Sequence, residues 1–430
     1  MPDPQPRPRK PSFLGRLGPG LITGAADDDP GGIATHSQAG AAFGFNMLWT
    51  VVAAYPLLAA IQSVVARIGR VTGHGLSANV KRVFPAWILA TLVVLLLAAN
   101  TINIAADIAA MGEVAHLLAP GLDKNVYSIA FGVGCLLLEV FLSYKRYVRV
   151  LKWFTLSLLA YAGVAFTVAI PWDEVLVRTL LPSFALNLAS LTMIVAVFGT
   201  TISPYMFFWQ SSQEVEDLGP DPEKRSLIAS PAQAEAELDR IRFDTWTGMA
   251  LSSAIAFFIV LTTAVTLHAS GVTQIDTAAE AASALRPIAG PFAFMLFGLG
   301  VIGTGLLAVP VLAGSAAYAI AEALGWTMGL DRKLGEAPGF YSIIALATLG
   351  GVALNFSPID PIVALFWSAV LNGVVATPIM ALSMALASRR DVMGPYVATR
   401  GQLVLGWTAT AVMFLASAAM AISALLQGRV

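Results

Sequence analysis

The amino-acid sequence predicts an all-α polytopic membrane protein: two inverted repeats of five spans, with spans one and six broken, and an eleventh span appended. Three observations predict it. Hydrophobic residues make up 57% of the 430 positions and charged ones 12%, with a mean hydropathy of +0.75, whereas a soluble domain carries roughly 25% charge. The apolar residues gather into eleven runs punctuated by Gly, Pro and charge. Two of those runs, five apart, are interrupted by proline beside polar or small residues, the pattern of corresponding broken helices in two related halves. Five spans per half end on the opposite side from where they began, so inversion follows from parity.

A span needs about 20 apolar residues. The runs lie near 14–43, 46–67, 87–117, 126–143, 150–170, 188–213, 244–268, 288–324, 340–356, 361–387 and 402–426. Residues 1–13, rich in Pro and Arg, read as a disordered cytoplasmic tail without the apolar core of a cleaved signal. The first repeat then covers 14–170, the second 171–387 with a cytoplasmic loop at about 215–242, and the eleventh span 388–430. With the N-terminus inside, only Lys124, Arg178, Arg286 and Arg429 fall outside, which leaves 21 of the 25 basic residues on the cytoplasmic face. That bias is what orients a membrane protein, and one miscounted span would scramble it.

Several classes are excluded. A net charge of −1 leaves no basic surface for nucleic acid. The single Cys135 permits no internal disulfide and reads as a packing residue. Four scattered histidines and no phosphate loop or nucleophile elbow argue against an enzyme or a bound cofactor. No soluble domain, signalling module or obligate protein partner is evident. The expected surroundings are the lipid of the cell membrane.

The first break is Asp27-Asp28-Asp29-Pro30-Gly31-Gly32. Proline and glycine unwind the helix and free its carbonyls, and carboxylates at bilayer depth require a positive partner. A cation site follows. The second break, Gly199-Thr200-Thr201-Ile202-Ser203-Pro204-Tyr205, is small and hydroxylated. A plain proline kink, with Ser or Thr re-satisfying the carbonyls, accounts equally well for that run alone. It does not account for three acids. Helices that end at each break present carbonyl ends, whose partial negative charge attracts a cation. Asp28 is placed to stand behind the ion or face the outer vestibule, and Asp27 is expected to be solvated.

Other polar residues have two readings. Asn103 and Asp107, one helical turn apart, either face the pathway or join helices. Gln38 and Asn372 are placed to hydrogen-bond an ion's waters. His36 reads as an ordinary hydrogen-bonded helix residue, and His74 as part of a cytoplasmic loop. Glu214, Glu216 and Asp217 and the mixed charges after them read as a solvated loop with a short surface helix.

Gly18-Pro19-Gly20, Asp29-Pro30-Gly31-Gly32-Ile33-Ala34, Gln38-Ala39-Gly40-Ala41 and Phe43-Gly44 resemble the first span of the Nramp divalent-metal transporters, whose signature there is Asp-Pro-Gly-Asn. Val71-Thr72-Gly73-His74-Gly75-Leu76 also matches, as do Gly199 and Pro204, where the family carries Met-Pro-His. The resemblance implies a LeuT-type fold. It also implies metal ligands at Asp29 and at the carbonyl of Thr200, while the Asn position is Gly32, the Met position Ser203 and the His position Tyr205. A lost thioether relaxes selection for softer metals, and a lost Asn opens room for Mg²⁺, which keeps its waters. This pattern resembles the Nramp-related magnesium branch, with Mn²⁺ also compatible. No acid pair in the third span aligns with the family's proton path, and Tyr205 removes a group titrating near pH 6.5. Weak or absent proton coupling is expected. Alternatives are a proton-coupled Mn²⁺/Fe²⁺ transporter and a LeuT-fold carrier of an organic amine, the latter kept open by Phe207, Phe208 and Trp209.

Overall fold

A computed structural model describes residues 18–141, 158–183, 185–219, 225–275, 277–356 and 360–426. The tail, residues 1–13, and the basic residues Lys145, Arg146, Arg149 and Lys152 lie outside them. Among the described residues all regular structure is helical. The first span is α1 (Pro19–Asp27) and α2 (Pro30–Phe43), the second α3 (Leu48–Thr72). Then come α4 (Leu76–Val83), α5 (Ala86–Leu118) as span three and α6 (Lys124–Phe141) as span four. The fifth is described only from residue 158, where α7 (Leu159–Val164) ends earlier than expected, and α8 (Trp172–Leu180) is a helix the apolar runs did not predict.

The sixth span is α9 (Leu188–Thr201) and α10 (Pro204–Glu216), and the seventh α11 (Ala234–Thr266). Short helices α12 (Ala278–Ser283) and α13 (Arg286–Ala289) lead into α14 (Ala293–Leu324), the eighth. The rest are α15 (Pro338–Leu354), α16 (Pro361–Ala387), a short α17 (Arg390–Met393) and α18 (Arg400–Leu426). Eight stretches are long and apolar enough to cross a membrane; one, Pro30–Thr72, covers half of span one and all of span two. The ninth span, Pro338–Leu354, is a shorter apolar helix of 17 residues.

Burial ranks these spans. The apolar window of Leu188–Glu216 is 94% buried and that of Arg400–Leu426 17%. The sixth span is therefore central and the eleventh peripheral, as an appended helix should be. Close approach at the centre depends on glycine: a Cβ on Gly199 would lie 2.5 Å from the Gly373 amide nitrogen, so no larger residue lets α9 meet α16. Proline alone does not break helices here. Pro56, Pro310 and Pro378 all sit inside continuous α3, α14 and α16.

The expected cytoplasmic loop is shorter and drier than its charges suggest. Helix α11 begins at Ala234 rather than near 244. Glu214 is fully buried and takes Arg240 at 2.5 Å, and Arg240 also holds Glu237 at 2.9 Å. Buried Arg70 of α3 meets the same Glu237 at 2.9 Å. These charges are paired between helices instead of solvated, because each arginine can bridge acids from two elements at once.

Candidate metal site

Both breaks are built from one backbone motif. α1 gives way at Asp28 (φ −82°, ψ 47°), Asp29 is extended (φ −68°, ψ 171°), and Pro30 opens α2. α9 gives way at Ile202 (φ −107°, ψ 58°), Ser203 is extended (φ −76°, ψ 138°), and Pro204 opens α10. Proline forces the residue before it out of the helical region and needs no amide bond in the first turn. At the first break the Asp29 side chain also caps the new helix, whereas the Ser203 hydroxyl makes no cap bond, and Thr377 before Pro378 inside α16 shows that a hydroxyl ahead of proline does not by itself break a helix.

Asp29 caps α2 through Oδ1, which accepts from the Gly32 amide at 2.6 Å. Gly32 then leaves a gap with oxygens around it. A Cβ there would lie 3.1 Å from the Asp27 carbonyl oxygen, 3.4 Å from Asp29 Oδ1 and 3.6 Å from Thr200 Oγ1. Carboxylate, carbonyl and hydroxyl from both broken spans thus meet on the open face of one glycine. The Ser203 hydroxyl turns back and donates to the carbonyls of Gly199 and Thr200, each at 2.8 Å. Thr200 therefore offers its hydroxyl toward the gap while its carbonyl already accepts one bond.

Asp27 is a correction. It is buried, as are Asp28 and Asp29, and its Oδ2 accepts from the Ser252 hydroxyl of α11 at 2.6 Å. The same hydroxyl reaches Asp28 Oδ1 at 3.2 Å. Helix α11 packs against α1 closely enough to carry a donor to these carboxylates, so bulk water does not solvate them. Sequence reasoning missed Ser252; the only signal was a Ser-Ser pair in an otherwise apolar run.

Asp107 of α5 faces the Gly31 amide and stands within electrostatic reach of Asp29. Tyr205 lies beside Asp29, and its hydroxyl donates to the Ala26 carbonyl at 3.2 Å. It ties α10 to the last turn of α1. Asn103 and Asn372 hold each other: the Asn103 amide donates to Asn372 Oδ1 at 3.1 Å, joining α5 to α16. Gln38 is also otherwise engaged, because its amide donates to the Thr273 carbonyl and its oxygen accepts from the Ile275 amide at 2.8 Å. His36 Nδ1 lies 2.7 Å from the Gly32 carbonyl, an ordinary helix contact. Phe207, Phe208 and Trp209 are buried in the core and Trp209 packs on Tyr318, so they line no amine pocket.

The gap is enclosed. A cavity of about 1110 Å³ nearby is lined by Ala34, Gln38, Asn187, Thr192 and Ile275 among others, and by none of Asp29, Thr200 or Ser203. At the far end of α1, Asp244 of α11 accepts from the amides of Gly18, Gly20 and Leu21 at 2.9, 2.7 and 3.0 Å. Among the described residues no three His, Cys, Asp or Glu side chains converge as a metal cage.

Residues 20–423 match the family described as Natural resistance-associated macrophage protein-like. The chain belongs to the Nramp family. Its similarity to the divalent metal cation transporter MntH of Burkholderia ambifaria is 26% identity over 414 residues, covering 94% of this chain and 87% of that protein. Solved structures share the fold. The Eremococcus coleocola manganese transporter, in complex with an aromatic bis-isothiourea substituted compound, superposes with a TM-score of 0.75 at 15% identity, over 96% of this chain and 87% of that one. Mhp1, a nucleobase-cation-symport-1 family transporter, gives 0.54 at 14% identity, over 95% and 93%. The Nramp relatives are named as transporters, not enzymes, and the all-helical architecture expected from the sequence, of the LeuT type that the family resemblance implies, is the fold of this chain.

Proposed function

We propose that this chain transports divalent metal cations, carrying partly hydrated Mg²⁺ with Mn²⁺ as a second cargo, by alternating access with little or no proton coupling. The observation that carries the reading is the meeting of oxygens from both broken spans at Gly32, whose nearest neighbours there are the Asp27 carbonyl, the Asp29 carboxylate and the Thr200 hydroxyl. Oxygen donors suit hard divalent ions, and Mg²⁺ sheds its waters reluctantly and so needs room as much as ligands. The names of the relatives, divalent metal cation transporter and manganese transporter, support the general class.

In this reading Asp29 supplies the formal negative charge, Thr200 and the backbone around Ser203 supply oxygens, and Gly32 supplies space. Asp107 and Asp28 add charge behind them, and Tyr205 fixes α1 against α10. The chain divides into repeats at 14–170 and 171–387, with the N-terminus cytoplasmic.

The test is uptake of Mg²⁺, Mn²⁺ and Ca²⁺ into liposomes at fixed potential, with a pH dye inside. Wild-type protein is expected to move Mg²⁺ with little acidification, and Asp29→Ala to abolish uptake of every divalent ion. Near-normal uptake by that variant removes the site assignment.

A further inference from the structure

Helices α3, α11 and α18 enclose a groove of about 840 Å³, separate from both broken spans. Its chemistry is graded along its length. Arg67, Arg242 and Asp239 line it and, further along α3 and α11, so do Tyr55, Trp246 and Ala250, with Leu405 from α18. On α3 the distance from Arg67 to Tyr55 is about 18 Å at 1.5 Å per residue. That is comparable with the roughly 15 Å of one hydrocarbon leaflet.

Arg67 is held in place without being neutralised. Its Nη1 donates to the carbonyls of Tyr396 and Val397 at 3.3 and 3.1 Å, and its buried Nε has no acceptor. Among the described residues no carboxylate pairs with Arg67, while Arg242 meets Asp239 at 3.3 Å. Two cations therefore face one anion. The apolar end has a stiff wall, where Tyr55 and Trp246 meet edge-on at 5.6 Å and the Tyr55 hydroxyl donates to the Trp246 carbonyl.

We propose that this groove binds one anionic phospholipid, its phosphate between Arg67 and Arg242 and an acyl chain along Trp246, Ala250 and Leu405. The charge bias of the chain assigns the arginine end to the cytoplasmic leaflet, where anionic lipids and basic pockets between helices meet. The lipid would join the peripheral α18 to α3 and α11. The proposal is independent of the transported ion.

The test is lipid retention by the purified full chain, counted by native mass spectrometry after exchange with vesicles of phosphatidylcholine containing a minor fraction of phosphatidylglycerol. One retained phosphatidylglycerol is expected, with preference over phosphatidylcholine falling about fivefold for each arginine removed in R67Q and R242Q. Ala250→Trp keeps both charges but fills the acyl slot, and should also lose the lipid. Because Arg67 holds backbone carbonyls, R242Q and A250W carry the test where R67Q fails to fold. Equal retention of both lipids by the wild type overturns the proposal, as does a preference unchanged in R242Q and A250W. Displacement by inorganic phosphate alone reassigns the site to the free ion and overturns the lipid.

Discussion

Residue 32 is where the missing atom does the most. A side chain there would project among the Asp27 carbonyl, the Asp29 carboxylate and the Thr200 hydroxyl, all within 3.1–3.6 Å of its first carbon. An Asn could thus place a direct ligand among these oxygens. At residue 203 a Met would trade a hydroxyl bonded to two carbonyls for a soft thioether and release the Thr200 carbonyl. The expected outcome of the double substitution Gly32→Asn with Ser203→Met is a shift of preference toward Mn²⁺ by about tenfold, the factor that 1.4 kcal/mol supplies. Competition of Mn²⁺ against Mg²⁺ in the liposome assay measures it. An unchanged ratio would place selectivity in other residues. The 3.1 Å contact with the Asp27 carbonyl means that the Asn must displace that oxygen by a few tenths of an ångström, so single substitutions should be compared as well.

At the scale of elements, α1 packs along α11 and is fastened at its two ends by contacts that differ in kind. Its N-terminal end is held by the Asp244 carboxylate, which takes three of the amides that a helix N-terminus leaves unpaired. Its other end is held by Ser252 through Asp27 and by Tyr205 through the Ala26 carbonyl. Asp244→Ala removes a cap and a charge favourable to the helix dipole, and should cost about 1–2 kcal/mol. A fall in the thermal midpoint of the detergent-solubilised protein checks this, and an unchanged midpoint would mean that α1 is held by packing alone. The contrast explains what the sequence made legible. The breaks were readable because Asp29-Pro30 and Ser203-Pro204 are local chemistry. Asp244 and Ser252 were not, because they act on residues more than 200 positions away and no local pattern carries such a contact. The same limit hid the pairing of Asn103 with Asn372 and made Glu214, Glu237 and Arg240 look like a wet loop when, with Arg70 of α3, they form a network between helices.

For the whole molecule the decisive quantity is the work available to move a divalent ion. Membrane potential alone is one source of that work. Moving two charges through 100 mV, inside negative, yields about 4.6 kcal/mol from about 2.3 per charge. At 1.4 kcal/mol per factor of ten, that sustains an accumulation on the order of a thousandfold. Proton flow is therefore not required on energetic grounds. Nor do all the titratable groups of the third span gather at the gap: Asp107 faces it, whereas Glu113 accepts from the Ala278 amide outside it. Liposomes with an imposed potassium potential should then take up Mg²⁺ faster as the interior becomes more negative, at constant pH on both sides. The enclosed dye should stay nearly unchanged while the metal enters. Proton entry matching metal entry at every potential would refute uncoupled transport and turn attention to Asp107, the third-span acid that stands beside Asp29.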